Sequence, residues 1–168
     1  MWAMLLAIGL SGISLVTGCT GKEGLAVAKD GNTVKVHYTG KLDDGTIFDT
    51  SAERHPLEFT IGAGQMIPGF EEAVRGMQVR QVKTVTIPPK EAYGPHLNEM
   101  VLVVEREELP PEIHPVVGLQ LQMKDENGSV RVVLVTDVSE ATITVDANHP
   151  LAGKGLTFEI ELVEIKSR

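Results

Sequence analysis

The sequence predicts an α+β protein, mainly antiparallel β, in which one sheet wraps on one short helix and a small β domain is inserted. Short segments that alternate apolar and polar residues recur from residue 33 to the end of the chain, as in half-buried strands. One segment near residue 70 has helical spacing instead, and residues 96–147 contain no aromatic side chain. The alternation and the single helix give the fold class, and the change in composition marks the insertion.

Four alternating segments predict the strands of the main sheet. They are residues 33–38, 57–61, 83–87 and 156–165. Between the first two, the Asp-Asp-Gly-Thr sequence at 43–46 supplies a hairpin turn, because glycine adopts positive φ without steric cost.

A short helix is predicted to start at Ile67, with acidic residues in its first turn, where the helix dipole favours them. Phe70, Ala73 and Val74 share one face, which predicts that this face is buried. Gly76 is expected to end the helix.

The segment 96–147 is interpreted as a small antiparallel sheet. Residues 119–123 alternate, an Asn-Gly pair at 127 is a strong turn signal, residues 130–135 are nearly all apolar, and residues 141–145 alternate again. Such an apolar sheet predicts either an adaptable surface or open edge for extended unfolded chains, or an ordinary small core.

The charge balance argues against a nucleic-acid partner. The 168 residues include 15 basic and 23 acidic side chains, which gives a net charge of −8 at pH 7. The single cysteine, Cys19, excludes an intramolecular disulfide and a cysteine-based zinc site. The histidines never lie three or four residues apart, so no helical pair of metal ligands is expected.

Residues 1–19 are predicted to form an export leader. Residues 2–16 are uncharged and mostly apolar, and small residues precede Cys19. The apolar run is shorter than the ~20 residues of a membrane-spanning helix and matches the core of a signal peptide. It resembles a bacterial lipobox, which implies a lipid on Cys19 and a membrane-anchored lipoprotein facing the periplasm. An uncleaved anchor, or a mis-assigned start on a cytoplasmic protein, are the alternatives.

Several other motifs are too weak to indicate a function. The Gly-Ala-Gly sequence at 62–64 lacks the third glycine of a dinucleotide fingerprint, and no serine lies in a Gly-x-Ser-x-Gly context. Asp43 and Asp44 fit turn chemistry better than a pair of catalytic carboxylates. The aromatic residues beyond the leader all lie outside 96–147, and their spacing alone is that of an ordinary core.

Four short motifs around these aromatic residues occur together and in a characteristic order. They are VHYTG at 36–40, DGTIFDTS at 44–51, MIPGFE at 66–71 and AYG at 92–94. The set resembles the FKBP-type prolyl isomerases, from about residue 30 to 166. Residues 148–158 resemble the SlyD branch, whose flap carries a chaperone domain. The resemblance implies a discontinuous isomerase domain, 25–95 and 148–166, around a chaperone-like insertion, 96–147.

The resemblance also implies a proline pocket. Its catalytic residues would be Tyr38, Asp49, Ile67 and Tyr93. Its substrate-binding wall would comprise Phe48, Phe59, Met66, Phe70 and Phe158. The Ile67 N–H and the Tyr93 hydroxyl would hold substrate carbonyls, and Asp49 would orient the twisted amide, with loop capping as its alternative role. Phe70 stands where the family often has tryptophan, so a smaller pocket floor is expected.

The implied function is peptidyl-prolyl cis-trans isomerisation that assists folding, with an inserted domain that binds unfolded chains. The partners would be proline-containing polypeptides, unfolded or partly folded, and a monomer is expected. No cofactor is expected, and no metal, because the His- and Cys-rich tail frequent in the SlyD branch is not found in the sequence. The alternative is a holdase chaperone with little or no isomerase activity.

Overall fold

The computed structural model describes residues 26–124 and 127–166, so the predicted leader and Cys19 lie outside the described residues. Within them the chain forms β1 (Thr33–Lys41), β2 (Ile47–Thr50), β3 (Leu57–Thr60), α1 (Pro68–Val74), β4 (Val82–Ile87), β5 (Val101–Glu105), β6 (Gln120–Lys124), β7 (Val130–Val138), β8 (Thr142–Asp146) and β9 (Leu156–Lys166). Short 3-10 turns lie at Pro89–Glu91, Asn98–Met100 and Arg106–Glu108. The predicted fold class, mainly antiparallel β with one short helix, is confirmed.

The first sheet has the order β2-β1-β9-β4, and β3 also pairs with β1. Every pair is antiparallel. Strands β1 and β9 pair along their whole length, from Thr33 opposite Lys166 to Lys41 opposite Thr157. The first strand is therefore longer than the predicted 33–38, and its second half also pairs with β2, a strand that the sequence did not predict.

Alternation along the strands buries one face of this sheet against α1. In β9, Ile160 and Leu162 are fully buried, whereas Glu159 and Glu161 are exposed. On the helix side the buried cluster contains Phe70, Ala73 and Val74, which is the face predicted from the sequence. Each large apolar side chain buried in this way contributes about 1.5–3 kcal/mol.

Helix α1 ends just before Gly76, as predicted. This glycine has a φ of 81°, a conformation that favours glycine because other residues have a Cβ that clashes. Its N–H donates to the Ala28 carbonyl over 2.8 Å, which ties the end of the helix to the segment that precedes β1.

The second sheet is antiparallel with the order β5-β8-β7-β6, and it confirms the small inserted sheet. Its buried residues, on one face, are Val133, Val135, Ile143 and Val145. Strand β5 was not predicted, because residues 101–104 form a continuous apolar run without alternation.

The two sheets are joined by a pair of neighbouring segments. The Gly153 N–H donates to the Gly94 carbonyl over 2.8 Å. The Leu97 N–H donates to Asn148 Oδ1, and Asn148 Nδ2 donates back to the Leu97 carbonyl, each over 2.9 Å. The chain therefore leaves the first sheet and returns to it at one place. Among the described residues, no helix has the length and apolar character needed to cross a membrane.

Candidate active site

A cavity of about 330 Å³ opens beside α1 on the first sheet. Aromatic side chains from β1, β2, α1 and β9 contribute to its lining, together with residues of the loop before α1. The lining residues are Tyr38, Phe48, Asp49, Gly64, Gln65, Met66, Ile67, Phe70, Tyr93 and Phe158.

Phe70 forms the floor of the cavity and is fully buried. The Phe158 ring packs edge-on against it, with centroids 5.2 Å apart, and the Tyr38 ring does so at 5.8 Å. Phe48 in turn packs edge-on against Phe158 at 5.6 Å. Such edge-to-face pairs are favourable beyond the area they bury, so the rings fix one another and the cavity is preformed.

Gly40 on β1 makes room for these rings. A Cβ at this position would lie 2.6 Å from Phe48 Cζ and 3.0 Å from Phe158 Cε1. Gly40 is also directly opposite Phe158 in the pairing of β1 with β9. The absence of a side chain therefore lets two aromatic rings meet over the backbone of the strand.

Tyr38, Asp49 and Arg54 form a chain of polar contacts at one wall. The Tyr38 hydroxyl donates to Asp49 Oδ2 over 2.5 Å, and Arg54 Nη2 lies 2.5 Å from Asp49 Oδ1. The hydrogen bond from Tyr38, assisted by Arg54, holds the pKa of the Asp49 carboxyl below its ordinary value. Burial, and then the bond to Asp49, raises the pKa of Tyr38 to about 12. At neutral pH the wall therefore carries a neutral phenol beside an ionised carboxylate.

The loop that closes the cavity is held by a buried carboxylate, Glu71, only 6% exposed. Its two oxygens accept the N–H groups of Gly62 at 2.8 Å, Gln65 at 3.1 Å and Met66 at 3.3 Å. The next N–H, that of Ile67, donates to no acceptor in the part of the chain that the structure describes. One carboxylate thus shapes the loop and leaves a free backbone donor at the cavity.

Tyr93 lies at the rim, where its side chain is 41% exposed. Its ring stacks on that of His149, with centroids 3.9 Å apart and planes at 2°. His149 comes from the segment that returns from the second sheet, whereas Tyr93 comes from the segment that leads to it. The rim is therefore formed by both segments that join the two sheets.

The structure brings together all of the residues implied by the resemblance except Phe59. That side chain is 3% exposed and packs behind the floor, 5.8 Å from Phe70 between ring centroids, so it supports the cavity without lining it. Four further residues of the site were not predicted from the sequence, namely Gly40, Gly64, Gln65 and Glu71. The only sequence signal for them was their place inside or beside the family motifs.

Across residues 26–124 and 127–166, no three His, Cys, Asp or Glu side chains are grouped so as to hold a metal ion. The cavity offers aromatic surface, the unbonded Ile67 N–H, the Tyr93 phenol at the rim and a carboxylate that is already hydrogen bonded. It can therefore bind an apolar ring and donate hydrogen bonds to neighbouring carbonyl groups from the Ile67 N–H and the Tyr93 hydroxyl.

Comparison with known proteins agrees with this geometry. The sequence pattern of the FKBP-type peptidyl-prolyl cis-trans isomerase family matches residues 25–163. The chain is 39% identical to the FKBP-type peptidyl-prolyl cis-trans isomerase SlyD of Treponema pallidum, over 79% of this chain and 75% of the relative. It is 35% identical to the short-type peptidyl-prolyl cis-trans isomerase of Methanocaldococcus jannaschii, over 82% and 94% of the two chains.

A third relative is the FKBP-type 16 kDa peptidyl-prolyl cis-trans isomerase of Escherichia coli, 31% identical over 80% of this chain and 91% of the relative. The match to the family pattern extends through both sheets and includes strands β1, β2 and β9 and helix α1, which line the cavity. The motifs, the aromatic cavity and these similarities together show that the chain belongs to the FKBP-type peptidyl-prolyl cis-trans isomerase family.

Proposed function

We propose that this isomerase binds X-Pro segments of unfolded polypeptides in the aromatic cavity and holds the same polypeptides on its second sheet. The observation that carries the proposal is the cavity itself, a preformed aromatic cup with the free Ile67 N–H at its edge. A proline ring fits an apolar cup, and the carbonyl before it needs a donor.

Catalysis in this cavity requires no bond to be cleaved. The X-Pro barrier is about 18–20 kcal/mol because rotation breaks amide resonance. The twisted amide has lost much of the charge separation of the planar form, so an apolar surface destabilises the planar form relative to it. Lowering the barrier by about 5 kcal/mol would accelerate rotation several thousand-fold.

The polar groups at the edge of the cavity would hold the amide while it rotates. The Ile67 N–H and the Tyr93 hydroxyl would each donate to a substrate carbonyl. Asp49 accepts the Tyr38 hydroxyl and so fixes the orientation of the Tyr38 ring. Its negative charge beside the cavity would orient the twisted amide, as the resemblance implies.

The second sheet has an apolar groove of about 400 Å³ on its buried face. Residues between β5 and β6, among them Leu109 and Ile113, contribute to its lining, and the buried cluster of this sheet consists, among the described residues, of four aliphatic side chains. The apolar residues lining the groove are Val104, Leu109, Pro110, Ile113, Leu121, Met123, Val133, Ile143 and Val145. An extended apolar segment of an unfolded chain would cover the partly exposed apolar side chains of this groove, such as Leu121 and Met123.

Tethering such a groove to the cavity would raise the local concentration of prolyl bonds. A second site in the same chain turns the encounter with the cavity into an intramolecular step. Unfolded proteins, which reach both sites, would therefore be better substrates than tetrapeptides, which fill only one.

The proposal extends to location. The lipobox-like residues before Cys19 support a lipid anchor that places the isomerase on a membrane, facing the periplasm, where exported chains would meet it unfolded.

The decisive experiment is isomerisation of a Leu-Pro tetrapeptide by the chain from residue 20 onward, treated with a chelator. Acceleration over the uncatalysed rate is expected. An inactive but folded protein that still suppressed aggregation of an unfolded client would support a holdase instead.

A further inference from the structure

The stack of Tyr93 on His149 joins the active-site cavity to a second cleft. The Tyr93 ring lines the cavity and lies parallel to the His149 ring, 3.9 Å away. His149 also lines a cleft of about 350 Å³ on the second sheet, whose lining includes Val132 and Leu134 of β7. The two rings thus form a continuous aromatic rim between the two spaces.

The position of His149 is fixed by the junction. Its Nδ1 accepts the Leu151 N–H over 3.1 Å. The preceding residue, Asn148, bonds the Leu97 backbone from both sides and also donates to Asp146 Oδ1 over 2.8 Å. The imidazole is therefore held in place by a hydrogen-bonded turn, and its Nδ1 atom is occupied as an acceptor.

The cleft beyond His149 is mainly apolar. Its walls include Val132, Leu134, Ala147 and Pro150, and Gln120 stands at one side. Val132 is 59% exposed, because it points away from the buried face to which Val133 contributes. The carboxylate in the cleft, Asp146, already accepts bonds from Asn148 and lies 2.8 Å from His96 Nε2.

A cavity of about 330 Å³ holds little more than the prolyl residue and its neighbour. A polypeptide substrate continues beyond them, and a chain that left the cavity past Tyr93 would meet the His149 ring and then the cleft. An apolar residue of the substrate would cover Val132 and Leu134, which are otherwise in contact with water.

We propose that His149 and this cleft form an extended subsite that binds the apolar residues flanking the proline of a polypeptide held in the active-site cavity. The inference rests on the proposed role of the cavity. Val132 and Leu134 line this cleft and not the groove for unfolded chains. The subsite makes the segment that returns to the first sheet a determinant of substrate length and sequence.

The probes are a tetrapeptide and an octapeptide that share one Leu-Pro bond, the octapeptide being extended with leucine and valine. For the wild-type protein, kcat/KM should favour the octapeptide by about fivefold. Val132→Asp places a charge in the cleft and should abolish this preference. Val130→Asp is the matched control, because Val130 lies on the same strand and face with 61% exposure but does not line the cleft; it should keep the preference.

The role of the ring is tested by His149→Ala, which should lose most of the preference, and by His149→Phe, which keeps a stacking ring and should retain it. Circular dichroism establishes that each variant is folded. Equal preference in Val132→Asp, Val130→Asp and the wild type would overturn the subsite, as would no preference in the wild type.

Failure of the proposed function has a different signature, namely no acceleration of either peptide by the wild type. Binding of the fluorescently labelled octapeptide, measured by anisotropy, then decides about the cleft. Weaker binding by Val132→Asp alone supports the subsite, and equal binding by both aspartate variants overturns it.

Discussion

The Tyr38 hydroxyl donates to the Asp49 carboxylate over 2.5 Å; this bond lowers the pKa of the carboxyl and, second to burial, raises the pKa of the phenol. Asp49 has a pKa below its ordinary value, mainly because it accepts this bond. Its contribution to stability is therefore complete above the unfolded-state pKa of about 3.9 and is lost as the pH falls through the lower folded value. For Tyr38, with a pKa of about 12 in the folded chain, the contribution is complete below about pH 10 and is lost as the pH rises toward about 12.

Removing the carboxylate should therefore shift the titration of Tyr38. The chain has two tyrosines, so in a Tyr93→Phe background the ultraviolet signal of phenolate comes from Tyr38 alone. In this background Asp49→Asn should lower the Tyr38 pKa, although burial will keep it above the ordinary value. The same substitution in the native chain should reduce tetrapeptide kcat/KM roughly tenfold, the effect of losing one charge-assisted bond. An unchanged titration would show that Asp49 does not control the phenol.

Glu71 should matter more for stability than its exposed neighbour Glu72. Glu71→Ala leaves three loop N–H groups without their acceptor and should cost about 2–4 kcal/mol of unfolding free energy, together with a higher KM. Glu72→Ala removes an exposed carboxylate paired with Arg75 and should change the unfolding free energy by less than about 0.5 kcal/mol. Urea denaturation of the two variants provides the comparison, and equal losses would contradict the assigned role of Glu71.

Tyr93→Phe tests the hydroxyl at the rim. The ring and its stack on His149 are retained, so the fold and thermal midpoint should match the wild type. Tetrapeptide kcat should fall roughly five- to tenfold if the hydroxyl holds a substrate carbonyl during rotation. An enzyme with full kcat would remove Tyr93 from the catalytic residues and leave it as part of the aromatic wall.

Strands with one buried face were predictable from the sequence, because apolar and polar residues alternate along β1 and β9. Strand β5 was not, because a continuous apolar run carries no such period, and β2 was too short to show one. Alternation indicates that Phe59 points inward, but it cannot separate the wall of a cavity from the core behind it.

The pocket was predictable only through the motifs of the family. Contacts between residues that are distant in the sequence could not be predicted even from those motifs. An acidic residue in the first turn of a helix has an ordinary explanation in the helix dipole. Only the folded chain shows that Glu71 is buried beneath a loop and accepts three of its N–H groups. The stack of His149 on Tyr93 joins residues far apart in the sequence, and no local pattern specifies it.

The lipid anchor is tested by Cys19→Ser. The wild-type protein should incorporate labelled fatty acid and sediment with membranes, and the variant should lose both properties, because the thioether attachment point is gone. Mass spectrometry of the mature N-terminus provides the control. A soluble wild-type protein that retains Met1 would support a cytoplasmic protein with a mis-assigned start.

The last prediction concerns the separation of the two sheets. Because Gly94 and Gly153 are hydrogen bonded at the junction, and Asn148 Nδ2 lies 3.4 Å from His96 Nε2, a short Gly-Ser loop should join residue 96 to residue 148 without strain. The remaining chain keeps every residue that lines the active-site cavity, and the Tyr93 stack on His149 as well. It should therefore fold, since insertions at such sites are removable when few contacts cross.

Tetrapeptide kcat/KM of this shortened protein should fall only modestly, whereas catalysed refolding of a proline-limited protein should fall tenfold or more, because the tethered groove is gone. Near-ultraviolet circular dichroism of the aromatic cluster establishes that the cavity is intact. An equal loss on both substrates would mean that the second sheet shapes the cavity itself, and a full rate on the protein substrate would mean that the groove does not recruit it.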